Sequence, residues 1–179
     1  MKKALFLDRD GVINEDYGYV HDIKSFKFMP DIFDLCRAAV TQGYLIIIVT
    51  NQAGIARGLY SEKDFLDLTL RVESIFSDND VQISKTYYCP HHPEHGLGVY
   101  KKICKCRKPA SGMFDLATQE FGIDMRNSIM VGDKLSDLQA ANASGVGGLV
   151  LMGRDEGNIG TAFSYTIVPS LKDIIKIIK

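Results

Sequence analysis

Short apolar stretches of strand length alternate with amphipathic stretches of helix length along this sequence. Strands are predicted at residues 4–8, 44–50, 83–88, 128–131, 149–152 and 166–168. Helical spacing of apolar residues and end-capping residues predict helices at 29–43, from Ser61 onward, at 112–121, from Ser136 or Asp137 to Gly145, and after Ser170. Strict β–α alternation favours parallel strands in one sheet with helices on both faces. The sequence therefore predicts an α/β fold, a three-layer Rossmann-like parallel sheet.

The composition is that of an ordinary globular domain. The chain has 179 residues, of which 46% are hydrophobic and 24% charged, and its formal net charge is −1. A chain of this length can bury a single core, so we expect one domain spanning residues 1–179. A net charge near zero gives no strong attraction to nucleic acid or to an anionic membrane, so neither is an expected partner.

The first residues, MKKALFLDRDG, resemble a signal peptide only superficially. Their apolar run is four residues long before an aspartate, whereas the apolar part of a signal peptide needs about 7–15 residues. No apolar stretch approaches the roughly 20 residues of a membrane span. We therefore expect a cytoplasmic protein whose cysteines stay reduced. The polar stretch 153–164 is predicted to be a surface loop.

Polar residues follow three of the predicted strands at the point where each strand ends. Asp8 and Asp10 end the first strand, Thr50 and Asn51 end the second, and Asp133 follows the strand at 128–131. In an open parallel sheet, ligands bind beyond the carboxyl ends of the strands. We therefore expect these side chains, which are distant in sequence, to meet in one crevice.

The charges gathered in this crevice predict a metal and a phosphoryl group. Asp8, Asp10 and Asp133, with Asp137 as a candidate fourth, cannot all stay ionised at close range without a compensating charge. Mg²⁺ prefers such oxygen ligands and often binds phosphate oxygens as well. Arg107-Lys108 and Lys134 supply positive charge for the same anion.

The spacing of Asp8 and Asp10 suits two successive roles in phosphoryl transfer. One aspartate can attack phosphorus as the nucleophile. The other can protonate the leaving oxygen and then deprotonate the water that cleaves the aspartyl-phosphate. A rigid strand would direct both carboxyl groups into the crevice, with Asp8 kept ionised by the metal and Lys108.

A cysteine and histidine cluster lies between the third strand and Lys108. Cys89, Cys104 and Cys106 occur within eighteen residues, and His91, His92 and His95 lie between them. Three thiolates and one imidazole match the four tetrahedral ligands of a structural Zn²⁺ site. Such a closed site would fix the loop at 89–106 and order the cations that follow it.

The motifs DRDGV (8–12), TNQ (50–52), KP (108–109) and GDKLSD (132–137) resemble, in content and order, those of the haloacid-dehalogenase-like phosphohydrolases. The resemblance implies that Asp8 is the nucleophile and Asp10 the general acid/base. It also implies that Thr50 and Lys108 bind the phosphoryl group. Asp8, Asp133 and the backbone carbonyl of Asp10 would bind Mg²⁺, with Asp137 in support.

The stretches FLDRDGVIN (6–14), TNQAGIARG (50–58) and CKCRKP (104–109) resemble a zinc-loop subgroup without a large cap domain. The resemblance implies that His91 is the fourth Zn²⁺ ligand and that the substrate is a small phosphorylated sugar. The missing cap and the small surface favour a monomer. The resemblance favours removal of the C7 phosphate of a heptose 1,7-bisphosphate, with histidinol phosphate as the rival substrate. The implied substrate contacts are Asp8, Arg9, Asp10, Asp16, Tyr17, Gly18, Tyr19, Thr50, Asn51, Gln52, Ala53, Arg107, Lys108 and Lys134, of which Arg107 also assists catalysis.

Other interpretations of these residues stay open from the sequence. Asp137 also suits a helix cap, and residues 16–19 also suit a polar turn. His21 is predicted at the surface, and Cys36 in the core. A zinc-ribbon binding module and a phospho-accepting receiver domain are rival functions. Against the first, the basic residues of this chain do not form a stripe with aromatic residues. Against the second, a receiver domain needs neither a second aspartate nor a zinc loop.

Overall fold

Six parallel strands form one sheet in the computed structural model, which describes residues 1–153 and 161–178. The sheet order is β3-β2-β1-β4-β5-β6. The strands are β1 Lys3–Leu7, β2 Tyr44–Asn51, β3 Ile83–Cys89, β4 Ile129–Gly132, β5 Gly148–Met152 and β6 Thr166–Val168. The chain winds outward from β1 in both directions, so the sheet has a topological switch point between β1 and β4.

Helices cover both faces of this sheet. They are α1 Ile32–Thr41, α2 Ala53–Ala56, α3 Glu62–Asp78, α4 Gly112–Phe121, α5 Leu135–Ala143 and α6 Leu171–Ile175. Alternate residues of each inner strand enter opposite clusters: Leu5 and Leu7 pack with α1, α3 and α6, whereas Ala4 and Phe6 pack with α4 and α5. Both strand faces are buried, which explains why β1 and β2 are continuous apolar runs.

The predicted fold class is confirmed, and the deviations are local. Ser61 caps α3 through a reciprocal capping box with Asp64. Helix α5 begins at Leu135 because the Asp137 carboxylate accepts a hydrogen bond from the backbone N–H of Lys134. The four-residue helix α2 was not predicted. Most of the predicted loop at 153–164 lies outside the described residues.

Among the helices that the structure describes, none has the length and apolar character needed to cross a membrane.

Candidate active site

Asp8 lies directly beyond β1, at the switch point of the sheet. Its backbone N–H donates to the Val131 carbonyl at 3.0 Å, which fixes it against β4. The residue is only 6% exposed, and its Oδ1 lies 2.8 Å from Lys108 Nζ. Burial raises the pKa of Asp8, and Lys108 opposes that shift. A buried carboxylate held beside an ammonium and facing a cleft is placed to act as a nucleophile.

Lys108 is the cation at the centre of the site. Its Nζ contacts Asp8 Oδ1, Asp137 Oδ1 and the Val49 carbonyl oxygen, each at 2.8 Å. The Asn51 side chain holds the Lys108 backbone from both sides, with its Nδ2 donating to the carbonyl and its Oδ1 accepting from the N–H, each at 3.0 Å. Burial alone would lower the pKa of Lys108, but the two carboxylates outweigh it and leave that pKa raised. The side chain therefore carries a positive charge at neutral pH.

Three carboxylates form a cluster suited to a divalent cation. Asp8, Asp133 and Asp137 each offer an oxygen within 4.8 Å of the others. Asp133 Oδ1 is buried and has no hydrogen-bond partner among the described residues. Burial and the nearby Asp8 raise the pKa of Asp133 to about 7. A buried oxygen without a donor, in an acidic cluster, fits a hard cation such as Mg²⁺.

Gly11 makes room for this cluster. Its φ is +92°, in the left-handed region, and a Cβ placed there would collide with the Asp133 carboxylate. The turn after Asp10 therefore requires glycine for its conformation and for the close approach of Asp133.

Asp10 stands outside the three-carboxylate cluster and is held by donors. Arg9 Nη2 donates to both of its oxygens at 2.8 Å, Asn14 Nδ2 donates to Oδ1 at 3.0 Å, and Gln52 Nε2 donates to Oδ2 at 3.2 Å. Its side chain is 17% exposed and lines the cleft. It can therefore exchange a proton with a bound molecule. The predicted Mg²⁺ contact through its backbone carbonyl stays a prediction.

A polar cleft of about 610 Å³ opens over these groups. On its rim, Lys134 Nζ lies 3.5 Å from a carboxylate oxygen of Asp16 and of Asp133. Arg107 also lines the cleft and donates through Nη1 to the His91 carbonyl at 3.3 Å. The cleft thus combines an acidic floor with cations on its walls, which suits a phosphorylated molecule.

The four predicted zinc ligands converge beside the cleft. The separations of the Cys89, Cys104 and Cys106 sulfurs are 3.1, 3.3 and 3.5 Å. His91 Nδ1 lies 3.4 Å from Cys106 Sγ and 3.7 Å from Cys89 Sγ. Tetrahedral ligands at roughly 2.0–2.3 Å from a zinc ion are separated by about 3.3–3.8 Å. Four of the five observed separations lie in this range and the fifth, 3.1 Å, is slightly shorter, so the residues present fit zinc. The cluster lies at the end of β3 and just before Arg107.

Comparison with known proteins identifies the family. A model described as Polynucleotide kinase 3 phosphatase matches residues 6–145. The chain belongs to that family of haloacid-dehalogenase-like phosphatases.

Relatives of this phosphatase cover nearly its whole length. It is 49% identical to a D-glycero-beta-D-manno-heptose-1,7-bisphosphate 7-phosphatase of Vibrio cholerae, over 97% of this chain and 94% of the relative. It is 48% identical to a D-glycero-alpha-D-manno-heptose-1,7-bisphosphate 7-phosphatase of Burkholderia mallei, over 97% and 92%. The D,D-heptose 1,7-bisphosphate phosphatase of B. bronchiseptica, solved with magnesium and phosphate, superposes with a TM-score of 0.83 at 26% identity, over 98% and 97%.

Most of the predicted substrate contacts line the cleft of this phosphatase. The lining includes Asp8, Asp10, Asp16, Gly18, Tyr19, Asn51, Gln52, Ala53, Arg107, Lys108 and Lys134. Arg9 does not line it, because its guanidinium is buried against Asp10 and the Val20 carbonyl. Thr50 is 1% exposed, and its Oγ1 accepts from Gln52 Nε2 at 2.8 Å. Tyr17 is 63% exposed and bonds to Glu15.

Sequence reasoning missed three residues of the cleft lining and one contact nearby. The structure adds Tyr60, Pro109 and Ser136 to the lining. Asp137, the candidate fourth carboxylate, also lines the cleft and contacts Lys108 at 2.8 Å. The prediction that His21 lies at the surface holds, but its ring also stacks on Tyr60 with centroids 5.0 Å apart. A signal for Tyr60 was its position between TNQAGIARG (50–58) and Ser61, the N-cap of α3.

The remaining histidines and the fourth cysteine stand apart from the zinc ligands. His92 Nδ1 accepts from the backbone N–H groups of Glu94 and His95, and neither His92 nor His95 belongs to the four-residue group. Cys36 is a fully buried residue of α1 that packs in the core, where burial raises the pKa of its thiol to about 12. This placement agrees with its predicted role as a core residue.

Proposed function

We propose that the protein is a Mg²⁺-dependent phosphomonoesterase that removes the C7 phosphate of D-glycero-D-manno-heptose 1,7-bisphosphate. The observation that carries the proposal is Asp8, a buried carboxylate that faces a polar cleft and contacts Lys108 at 2.8 Å. The substrate is supported by relatives at 43–49% identity that are named as 7-phosphatases of this sugar. A solved relative contains magnesium and phosphate.

Two displacements at phosphorus give the reaction. An oxygen of Asp8 attacks the C7 phosphate, the bond from phosphorus to the sugar oxygen breaks, and Asp10 gives its proton to that oxygen. Water then attacks the aspartyl-phosphate and loses a proton to Asp10, which frees phosphate and Asp8. Lys108 balances charge on the phosphoryl oxygens throughout.

Mg²⁺ would be held by Asp8, Asp133 and the backbone carbonyl of Asp10, with Asp137 in support. When bound, it would neutralise negative charge that gathers on the phosphoryl oxygens. Zn²⁺ at Cys89, His91, Cys104 and Cys106 would be structural, because four protein ligands leave no open position.

The cleft has cations for a second anionic group. Arg107 and Lys134 both line the cleft, while Lys108 lies buried beside Asp8. A sugar that carries a phosphate at each end can place one at Asp8 and the other among the rim cations. The other predicted contacts, from Arg9 and residues 16–19 to Thr50–Ala53, belong to the same proposal.

We further propose that this monomeric, single-domain enzyme works in the cytoplasm, in the synthesis of nucleotide-activated heptose for lipopolysaccharide or surface glycan. Three thiols within 3.5 Å of one another hold a metal only in the reduced state, which favours a reducing compartment. Size-exclusion chromatography with light scattering tests the oligomeric state.

Phosphate release from purified protein tests the reaction. Wild type should hydrolyse the heptose 1,7-bisphosphate only with Mg²⁺, and ³¹P NMR should show the C1 phosphate retained. Asp8→Asn should reduce kcat by at least about 10⁴-fold with an unchanged fold, because the nucleophile is lost. Asp67→Asn, on the exposed surface of α3, is the matched control and should retain activity. Wild-type turnover by a mass-verified Asp8→Asn protein would overturn the proposed nucleophile.

The substrate assignment has its own comparison. Relatives named for the beta and for the alpha anomer match at 49% and 48% identity, so kcat/KM should be measured with both anomers. Histidinol phosphate serves as the competing substrate. A higher kcat/KM for histidinol phosphate than for either heptose anomer would contradict the proposed substrate.

A further inference from the structure

A buried hydrogen-bonded chain connects the general acid/base to an aromatic residue that the reaction does not otherwise use. Gln52 Nε2 donates to Asp10 Oδ2 at 3.2 Å and to Thr50 Oγ1 at 2.8 Å. Gln52 Oε1 accepts from the Tyr60 hydroxyl at 2.6 Å. Gln52 is 1% exposed, so its amide is occupied on both sides by protein groups.

The hydrogen bonds from Tyr60 through Gln52 to Asp10 require one orientation of the Gln52 amide. The amide can give hydrogen to Asp10 only if its nitrogen faces Asp10 and its oxygen faces Tyr60. Burial raises the pKa of Tyr60 to about 12, so its hydroxyl keeps a proton to donate to that oxygen. Without the hydroxyl, the amide oxygen would be a buried acceptor with no partner, and the amide could rotate.

The Tyr60 ring is held firmly enough to fix that hydroxyl. The residue is 7% exposed, and its ring stacks on His21 with an interplanar angle of 9°. Gly54 lies so close that a Cβ there would collide with the ring. The ring also packs with Ile55 and Phe65 in a small apolar cluster. The hydroxyl position is therefore set by the fold before any substrate binds.

We propose that Tyr60 is a positioning residue for Asp10 and acts through the Gln52 amide. This inference rests on the proposed function, in which Asp10 protonates the departing sugar oxygen. Arg9 and Asn14 also donate hydrogen bonds to Asp10. Of the three side chains that donate to Asp10, Gln52 is the one that directly follows β2. Tyr60 fixes the Gln52 amide, and the amide fixes the Oδ2 side of Asp10 relative to Asp8.

The consequence is selective for the leaving group. An alkoxide leaves poorly and needs a proton from Asp10 as the bond to phosphorus breaks, whereas p-nitrophenolate leaves without one. For each substrate, kcat/KM reports the transfer of the phosphoryl group to Asp8, which is the step in which the leaving group departs. A misplaced Asp10 should therefore slow hydrolysis of a sugar phosphate and spare p-nitrophenyl phosphate.

Tyr60→Phe tests this, because it keeps the ring and removes only the hydroxyl. We expect kcat/KM for the heptose bisphosphate to fall roughly tenfold, a fraction of what a general acid contributes, with kcat/KM for p-nitrophenyl phosphate within about twofold of wild type. Tyr88→Phe is the matched control: it removes a hydroxyl that donates to Glu62 Oε1 at 2.7 Å, against the same apolar cluster but with no link to Asp10. It should leave the ratio of the two kcat/KM values unchanged.

A double-mutant cycle tests whether the effect passes through the amide. In a Gln52→Leu background, adding Tyr60→Phe should change the ratio of the two kcat/KM values by less than about twofold. Equal losses for both substrates, no loss in Tyr60→Phe, or additive effects in the cycle would each overturn the inference. If one of these outcomes occurs while wild type hydrolyses both substrates, the inference fails but the proposed function stands. If wild type itself hydrolyses neither substrate, the proposed function is rejected.

Discussion

Lys108, Asp8 and Asp137 form a buried group in which two carboxylates share one ammonium. Burying such charges costs free energy, and a well-packed apolar replacement is often as stable. The group is therefore better explained by what it does in the cleft than by what it adds to the fold. The cost is limited because the ammonium has three oxygen acceptors, one on each carboxylate and the Val49 carbonyl.

Replacing Lys108 by methionine should remove activity and weaken the fold together. The change leaves Asp8 and Asp137 buried without their cation, so the free energy of unfolding should fall by about 3–5 kcal/mol. Urea denaturation measures that loss. Lys134→Met is the control, since the Lys134 side chain is 59% exposed and loss of its charge should change stability by less than about 1 kcal/mol. Equal stability of the two variants would contradict this account of the buried group formed by Lys108, Asp8 and Asp137.

Gly11 gives a second prediction at the same scale. Gly11→Ala should cost about 1 kcal/mol in backbone strain and also displace Asp133, because a Cβ there overlaps its carboxylate. We expect at least a tenfold weaker Mg²⁺ affinity by calorimetry. Gly122→Ala is the matched control, because Gly122 has φ +64° with no atom near the new Cβ. A Gly11→Ala protein that binds Mg²⁺ as well as Gly122→Ala does would reject the steric argument.

At the scale of elements, periodicity predicts what depends on local sequence and misses what depends on distant contacts. The strands follow from continuous apolar runs, and α3 follows from Ser61 and its amphipathic pattern. Helix α2 has four residues and no period to detect. The buried place of Arg9 and the Tyr60 stack on His21 depend on loops that meet only in the folded chain. The predicted site residues themselves still await the experiments proposed above.

The loop at 89–106 is the element whose order we expect to depend most on a metal. It follows β3, carries the 3₁₀ turn Gly98–Tyr100, and returns at Cys104. Leu97, Val99 and Ile103 are exposed along it, at 62%, 78% and 90%. Because these side chains bury little apolar surface, the proposed zinc site would supply order that packing does not.

Metal analysis of two cysteine variants tests that dependence. Cys104→Ser should lower the zinc content of the purified protein from one equivalent to well below one, because a ligand is lost. Cys36→Ser is the control: its thiol is fully buried in the core and its pKa is raised to about 12, so it supplies no ligand and zinc content should not change. Stoichiometric zinc in Cys104→Ser would reject the ligand set.

At the scale of the whole molecule, the catalytic floor and the zinc loop depend on different parts of the structure. Asp8 and Asp133 follow β1 and β4, whose side chains pack in clusters on both faces of the sheet. In the loop, Cys89 belongs to one of these clusters, and Cys104 and Cys106 pack against it. Lys108 is held by Asn51 and the carboxylates, whereas Arg107 is tied to His91 in the loop.

Removing zinc should therefore loosen the loop without unfolding the sheet. With a zinc-selective chelator and Mg²⁺ in excess, amide hydrogen exchange should rise across residues 90–106, while amides of β1 and β4 keep their protection. KM for the bisphosphate should rise several-fold, because Arg107 loses its contact with an ordered His91. The value of kcat should change less, because Lys108 keeps its contacts with Asn51 and Asp8. Restoring zinc is the control and should reverse both changes. Increased exchange in β1 and β4 would mean that the loop and sheet form one cooperative unit, and unchanged exchange at 90–106 would mean that packing alone orders the loop.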